Sequence, residues 1–462
     1  MNFNQEDEKG DTKPVKHDRR SLKSMAFYVS LYLTGIATFL IMIADPFTMS
    51  TYFSDNSLLP GLVNREFSLG VEAEYYLKDL EKLNRPLGTS GSSLAASKST
   101  VTFIKHELEQ FGLEVYEQNF QYNSEIQLNG TNIYSFIRGE RSTSSESIVL
   151  CVPYSVTSSK NTLPSVGLSL ALAKYFSTKS YWAKDLIILF VDHDHYGTSA
   201  FLDSYYDINF RSDFKRQVDK KDGFYYDSLE NRSGPMQAAI VLELYGRQTA
   251  RINIKIQGAY GQLPNLDLFN LIIELSARES VTPYFHNKSL PYDLTQEDLY
   301  RHHLETAISF MTTQATMKSD GLHGLFLSYA VQALTLEGPE FVEQKGGSHI
   351  IAASLLNVGR LLEGVFRSLN NLTERFNRSY YFYIILSLRR FTSIGYYMIA
   401  FGLVIAPVPI KVYNEMLGQS SDFNPRNFLL LASALTLSLL STFNISAAMI
   451  ASVAIVPILI IL

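Results

Sequence analysis

Apolar residues are distributed in two ways along this chain. Toward both ends they form long runs without a charge, Met25 to Ala44, Ile394 to Ile410, Phe428 to Phe443 and Ala447 to Leu462, the last two a little short for a span. The first is long enough to cross a bilayer. Between the ends the pattern is short and alternates in kind. Helical three- and four-residue spacing predicts helices over Val71 to Leu83, Ser97 to Phe111 and Val166 to Phe176. Strands are expected over Leu113 to Phe120, Thr131 to Arg138, Ser147 to Val152, Asp185 to Val191, Ala238 to Leu244 and Ala333 to Leu336. Asp185 to Val191 is almost wholly apolar, which suits a buried parallel strand. Alternating strands and helices predict an α/β sandwich around a mostly parallel sheet, flanked by transmembrane helices.

The polar flanks orient this plan. Lys13, Lys16, Arg19, Arg20 and Lys23 precede the first run, and Asp45-Pro46 ends it without a small-residue cleavage site. An uncleaved anchor follows, with residues 1–24 a cytosolic tail, 25–44 a transmembrane helix and the chain beyond it luminal. Residues 45–70 read as a juxtamembrane segment and 71–350 as the main luminal domain. Sequons at Asn129, Asn231, Asn287, Asn371 and Asn377 fall in the part read as luminal, so a glycoprotein is expected; Asn444 lies between apolar runs and is expected to be too near the bilayer for modification. Leu355, Val358, Leu362, Val365 and Leu369 mark an amphipathic helix. Tyr380 to Tyr383 and Arg389-Arg390 read as interfacial, so 351–390 is taken as an amphipathic and interfacial helix. Lys411 fits a cytosolic exit after the second run. Residues 391–462 form a C-terminal membrane region, and a chain stopping inside an apolar run is expected to be truncated.

Composition changes this picture little. The 462 residues carry a formal charge of −5, which does not suggest a nucleic-acid partner. The one cysteine, Cys151, sits in a strand-like run and is expected to be a buried small hydrophobe without a histidine partner.

A third pattern lies between Arg251 and Asn270. An alternating run, Arg251 to Ile256, enters Gln257-Gly258-Ala259-Tyr260-Gly261-Gln262-Leu263-Pro264-Asn265-Leu266-Asp267-Leu268-Phe269-Asn270. Pro264 suits a first helical turn, and Asn265 and Asp267 suit its positive end. By pattern alone this is an ordinary strand–turn–helix connection. Its wording, however, resembles the GAA-type subunit of the glycosylphosphatidylinositol (GPI) transamidase. So do Thr51-Tyr52-Phe53-Ser54-Asp55-Asn56, Tyr181-Trp182-Ala183-Lys184-Asp185, His323-Gly324-Leu325-Phe326-Leu327 and Arg390-Phe391-Thr392-Ser393-Ile394-Gly395. The resemblance covers nearly the whole chain, although that family has a larger multi-span bundle.

The order of strands also resembles a di-zinc aminopeptidase, a three-layer sandwich whose two metals need a crowd of carboxylates and imidazoles. Here Pro153 stands where a histidine is needed, Asn161 to Val166 holds no acid, and Val191-Asp192 replaces a paired glutamate motif. Asp192, Glu243 and His323 remain at possible ligand positions and could hold one zinc. Without base and bridge, two-metal hydrolysis is not expected: no cofactor and no catalytic residue, a pseudo-peptidase. Asp192-His193-Asp194-His195 is expected to be a surface or loop feature, since strand neighbours point to opposite faces.

The resemblance implies a non-proteolytic subunit of an endoplasmic reticulum membrane complex. A separate cysteine-protease-like subunit cleaves a precursor protein, and the GPI ethanolamine amine attacks the thioester. This subunit helps to present the lipid. Its partners are then the other subunits, the GPI lipid and the precursor. Tyr52, Ser54, Asp55 and Asn56 are the candidate GPI-binding residues: three can donate hydrogen bonds to phosphate and Asp55 can pair with an amine. A bulky residue at Ser54 is expected to lower display of GPI-anchored proteins while leaving assembly intact. Two other readings stay open, a membrane-tethered zinc aminopeptidase-like or amide-bond-forming enzyme, and a scaffold without lipid contact.

Overall fold

The computed structural model describes residues 18–54, 56–60, 62–84, 93–123, 127–140, 145–154, 161–206, 224–289, 295–341, 352–372, 376, 382–418 and 425–461. The chain divides into two compact units, residues 1–42 with 395–462, and residues 43–394.

In the larger unit, a two-residue strand β1 (Met49–Ser50) precedes the ribbon β2 (Glu114–Asn123) and β3 (Gln127–Ile137). The apolar runs follow as β4 (Ser147–Pro153), β5 (Asp185–Val191) and, after the short β6 (Phe224–Tyr226), β7 (Met236–Leu244). Next come β8 (Gln248–Thr249), β9 (Ile252–Lys255), β10 (Pro283–Tyr284), β11 (Gln332–Gly338) and β12 (Ala353–Ser354). Nine of these strands form one sheet in the order β10-β9-β11-β7-β4-β5-β3-β2-β6. The centre, β11-β7-β4-β5, is parallel; β3, β2 and β6 add an antiparallel flank.

Every residue of β4 and β5 is buried, because both faces are covered. Alternate residues Val149, Cys151, Leu189, Val191, Val241 and Ala333 pack with Phe201, Leu202 and Phe326 from the helices His195–Tyr205 and His323–Ser328. On the sheet's other side the helix Leu163–Ser177 is buried around most of its circumference, between the strands and the helix Gly70–Leu83. A helix apolar on all sides belongs in such a middle position. The two helices approach so closely that a Cβ on Gly167 would lie 2.8 Å from the Ala73 carbonyl oxygen. The amphipathic helix Leu355–Asn371 completes this layer. Its one buried acid, Glu363, accepts the Glu66 and Phe67 amides at 2.7 and 2.8 Å and the Tyr175 hydroxyl at 2.8 Å. That ties the approach to the first α/β helix onto the last.

The segment after this helix differs from the sequence expectation. β13 (Tyr383–Ser387) and β14 (Arg390–Ser393) form a hairpin, and β1 pairs with β14. Tyr383, expected among headgroups, is 3% exposed and its hydroxyl donates to the Pro264 carbonyl at 2.9 Å. Arg390 lies 3.3 Å from Asp45. A five-residue apolar run is compatible with helix or strand; its pairing with β14, itself paired to the sequence-distant β1, decides. Tyr380 and Tyr381 lie outside the described residues.

Among the described residues, three helices are long and apolar enough to cross a membrane, Lys23–Met42, Ile394–Leu417 and Arg426–Phe443, with Ile445–Ile461 a shorter apolar one. Lys411, expected just after the second apolar run, is part of the apolar helical stretch Ile394–Leu417. It lies within a helix, 7% exposed, and its Nζ donates to the carbonyls of Leu459 and Ile460 at 3.1 and 2.9 Å. A cation at a helix C-terminus satisfies carbonyls that have no partner in their own helix.

Candidate functional site

The stretch after β9 builds a helix start that grips another part of the chain. Gly258 donates to the Gln262 carbonyl at 2.9 Å, closing a turn in which Tyr260 takes a left-handed φ of 56° and is 69% exposed. The helix begins at Leu266, with Asn265 as its cap accepting the Asp267 amide at 2.7 Å. Pro264, expected in the first turn, therefore precedes the cap, because Asn265 supplies the side-chain acceptor that a helix start favours.

Asp267 and Asn270, one turn apart, share a helix face. The Asp267 side chain is fully buried, and its carboxylate oxygens accept the Ser54 amide at 3.0 and 3.1 Å as well as the Ser54 hydroxyl. Asn270 donates from Nδ2 to the Tyr52 carbonyl at 3.0 Å. Donation to a carbonyl sets the orientation of that amide, and Asn270 Oδ1 is buried without a hydrogen-bond partner among the described residues. Residues 52–54 are thus strapped along the helix start, with the Tyr52 side chain half-exposed. A recess of about 130 Å³ opens there, lined by Thr51, Tyr52, Phe53, Asn270, Glu274 and Arg389, among others. The Arg389 carbonyl accepts the Thr51 amide at 3.0 Å. Of the four sequence candidates, Tyr52 and Ser54 are placed together here. Asp55 and the side chain of Asn56 lie outside the described residues. The sequence singles out Asp267 for its helix position and Ser54 as a lipid contact, but carries no local signal that the two pair.

The three positions singled out as possible ligands, Asp192, Glu243 and His323, each have other partners. His323 is fully buried, with Nδ1 2.9 Å from the Thr335 hydroxyl and Nε2 3.3 Å from Asp320. Glu243 accepts from the Tyr245 hydroxyl at 2.9 Å and faces Lys255 at 3.9 Å. Asp192 accepts the His193 amide at 2.9 Å. Among the described residues, no three His, Cys, Asp or Glu side chains converge. Asp192-His193-Asp194-His195 forms a tight turn into the helix His195–Tyr205, with positive φ at His193 and Asp194. A Cβ on Gly197 would come within 2.2 Å of the Asp192 carbonyl oxygen, so only glycine allows this turn against the sheet. Cys151 is fully buried in β4, and burial pushes its thiol pKa up. That position packs the core and does not favour a thiolate.

Several known proteins are similar. GPI transamidase component gaa1 of Schizosaccharomyces pombe is 30% identical over 403 residues, covering 86% of this chain and 65% of that protein. GPI transamidase component GAA1 of Saccharomyces cerevisiae is 25% identical over 377 residues, covering 79% of this chain and 53% of that protein. The chain spans between half and two thirds of the length of these relatives. Among solved structures, an Acidobacteriales bacterium glutaminyl cyclase is 14% identical, covering 67% of this chain and 97% of that one, at a TM-score of 0.41. A zinc-dependent exopeptidase from Parabacteroides distasonis is 13% identical, covering 65% and 98%, at 0.35. A family model described as Gaa1-like, GPI transamidase component, matches residues 129–424. With that match running through most of the α/β unit and into the membrane helices, the chain belongs to the Gaa1-like family of GPI transamidase components.

Proposed function

We propose that this protein is a non-proteolytic subunit of the GPI transamidase in the endoplasmic reticulum membrane, with its α/β unit in the lumen, and that it helps to present the GPI lipid. The observation that carries this reading is the family match over residues 129–424. The basic residues before the first apolar helix support the orientation. In this reading the partners are the cysteine-protease-like subunit, the remaining subunits, the lipid and the precursor.

The head group is assigned to the recess around Tyr52. Residue 52 lies ten residues after the first apolar helix ends at Met42, and an extended chain covers at most about 3.5 Å per residue. The recess therefore stays within reach of the bilayer surface. A phosphoethanolamine group carries an anion and an amine, and Arg389 and Glu274 on the lining offer the complementary charges. Ser54 enters as the clamp that holds Tyr52 in place.

The test is flow cytometry of a GPI-anchored reporter in cells lacking the endogenous subunit, with co-immunoprecipitation of the complex. Tyr52→Ala and Arg389→Glu should each lower surface display several-fold while the complex still assembles. Normal display in both variants would make the segment a spacer; lost assembly in both would make its role structural.

A further inference from the structure

The sequons that pattern reading treated alike are not alike in the fold. Asn231 has its amide engaged on both sides: Nδ2 donates to the Tyr116 hydroxyl at 2.9 Å and Oδ1 accepts the Arg232 amide at 2.8 Å. Tyr116 is itself stacked on Tyr134, with ring centroids 5.4 Å apart, and the Tyr134 hydroxyl accepts the Glu230 amide at 3.1 Å. A sugar on Asn231 Nδ2 would compete with Tyr116 for its place in this cluster. Asn444 is 2% exposed, among the membrane helices. Asn129 is exposed but sits within the paired ribbon, opposite Gln121, and the hydroxyl of its sequon threonine, Thr131, donates to Asn119 at 2.9 Å. Asn371 ends a helix and its sequon runs into residue 373, outside the described residues, as is Asn377.

Asn287 is different. It is exposed at the tip of a two-residue turn in which Phe285 and Lys288 exchange both backbone hydrogen bonds at 2.9 Å. His286 and Asn287 have φ of 49° and 60°. Such a turn needs left-handed residues at both central positions, and asparagine adopts that conformation more readily than most. Its backbone amide is held by Asn253 Oδ1 at 3.4 Å. The side chain therefore projects from a fixed turn, and the third sequon residue, Ser289, follows it directly.

We infer that Asn287 carries an N-linked glycan and that Asn231 does not. This rests on the luminal orientation proposed above. In the transfer, Asn287 Nδ2 forms a bond to the anomeric carbon of a lipid-linked oligosaccharide. The bond from that carbon to the lipid's phosphate breaks, the phosphate leaves with the electron pair, and the amide gives up one proton. Transfer acts on the emerging chain, so the fold decides which attachment the finished protein tolerates.

The experiment uses the full chain in microsomal membranes, read by endoglycosidase-sensitive gel mobility and glycopeptide mass spectrometry. Asn287→Gln and Ser289→Ala should each lose one sensitive step; Ser289→Ala leaves the turn asparagine in place and so guards against a folding effect. Asn231→Gln should keep wild-type mobility. Unchanged mobility in Ser289→Ala, or a lost step in Asn231→Gln, overturns the inference. Protease protection in sealed microsomes is measured in parallel. A protected α/β unit without a glycan at Asn287 defeats this inference and leaves the luminal reading standing. A digested unit defeats both.

Discussion

Removing the Ser54 hydroxyl tests whether the juxtamembrane segment is clamped or merely adjacent. In Ser54→Ala the fully buried Asp267 side chain loses one of its donors and keeps the backbone amide. A hydrogen bond to a charged group contributes about 1.5–3 kcal/mol. Unfolding entropy is about 2.1 cal/mol/K per residue, so a unit of about 350 residues changes by about 0.7 kcal/mol per degree. The expected fall in Tm is therefore about 2–4 °C, measured by calorimetry on the detergent-solubilised chain. A double-mutant cycle with Asp267→Asn isolates the pair. Independent sites add to within about 0.5 kcal/mol, whereas a direct contact should show coupling of at least about 1 kcal/mol. Additive effects, or a Tm unchanged in Ser54→Ala, would refute the clamp. The same geometry revises the expectation for a bulky residue at position 54. It displaces a partner of a buried carboxylate, so chain stability and complex assembly should fall together with display.

Metal content gives an independent check on the zinc-enzyme alternative. Elemental analysis of protein purified without added metal should find no stoichiometric pair of zinc ions, because Asp192, Glu243 and His323 each face other partners; two zinc ions per chain would contradict that. A second check is acid sensitivity. Burial lowers the pKa of His303, so the folded state favours its neutral form. That contribution is fully present above the unfolded value of about 6.5 and is lost as pH falls toward the folded value. Tm should drop between pH 7.5 and 5.5, and His303→Gln should reduce the drop; parallel profiles for the two proteins would remove His303 from the explanation.

How much of this was legible before folding varies element by element. Asp185–Val191 runs in the structure as its apolar pattern predicts, and β4, β7 and the helix Leu163–Ser177 differ from expectation only at their ends. These elements are buried on most sides, so composition alone marks them. That Val191 can be neither base nor ligand was equally plain, since its side chain carries no donor atom. The Asn265 cap was half-legible: the helix-start chemistry was there, one position away from where Pro264 suggested. What tertiary structure decided were the pairings across distance. Ser54 meets Asp267 and β1 meets β14. Tyr383 is buried beneath Pro264, and Lys411 reaches the end of another helix. Periodicity reports which face of a segment avoids water, a property of neighbours in sequence. It carries no information on which distant backbone or carboxylate will meet that face, and that choice made a clamp of Ser54 and a core residue of Tyr383.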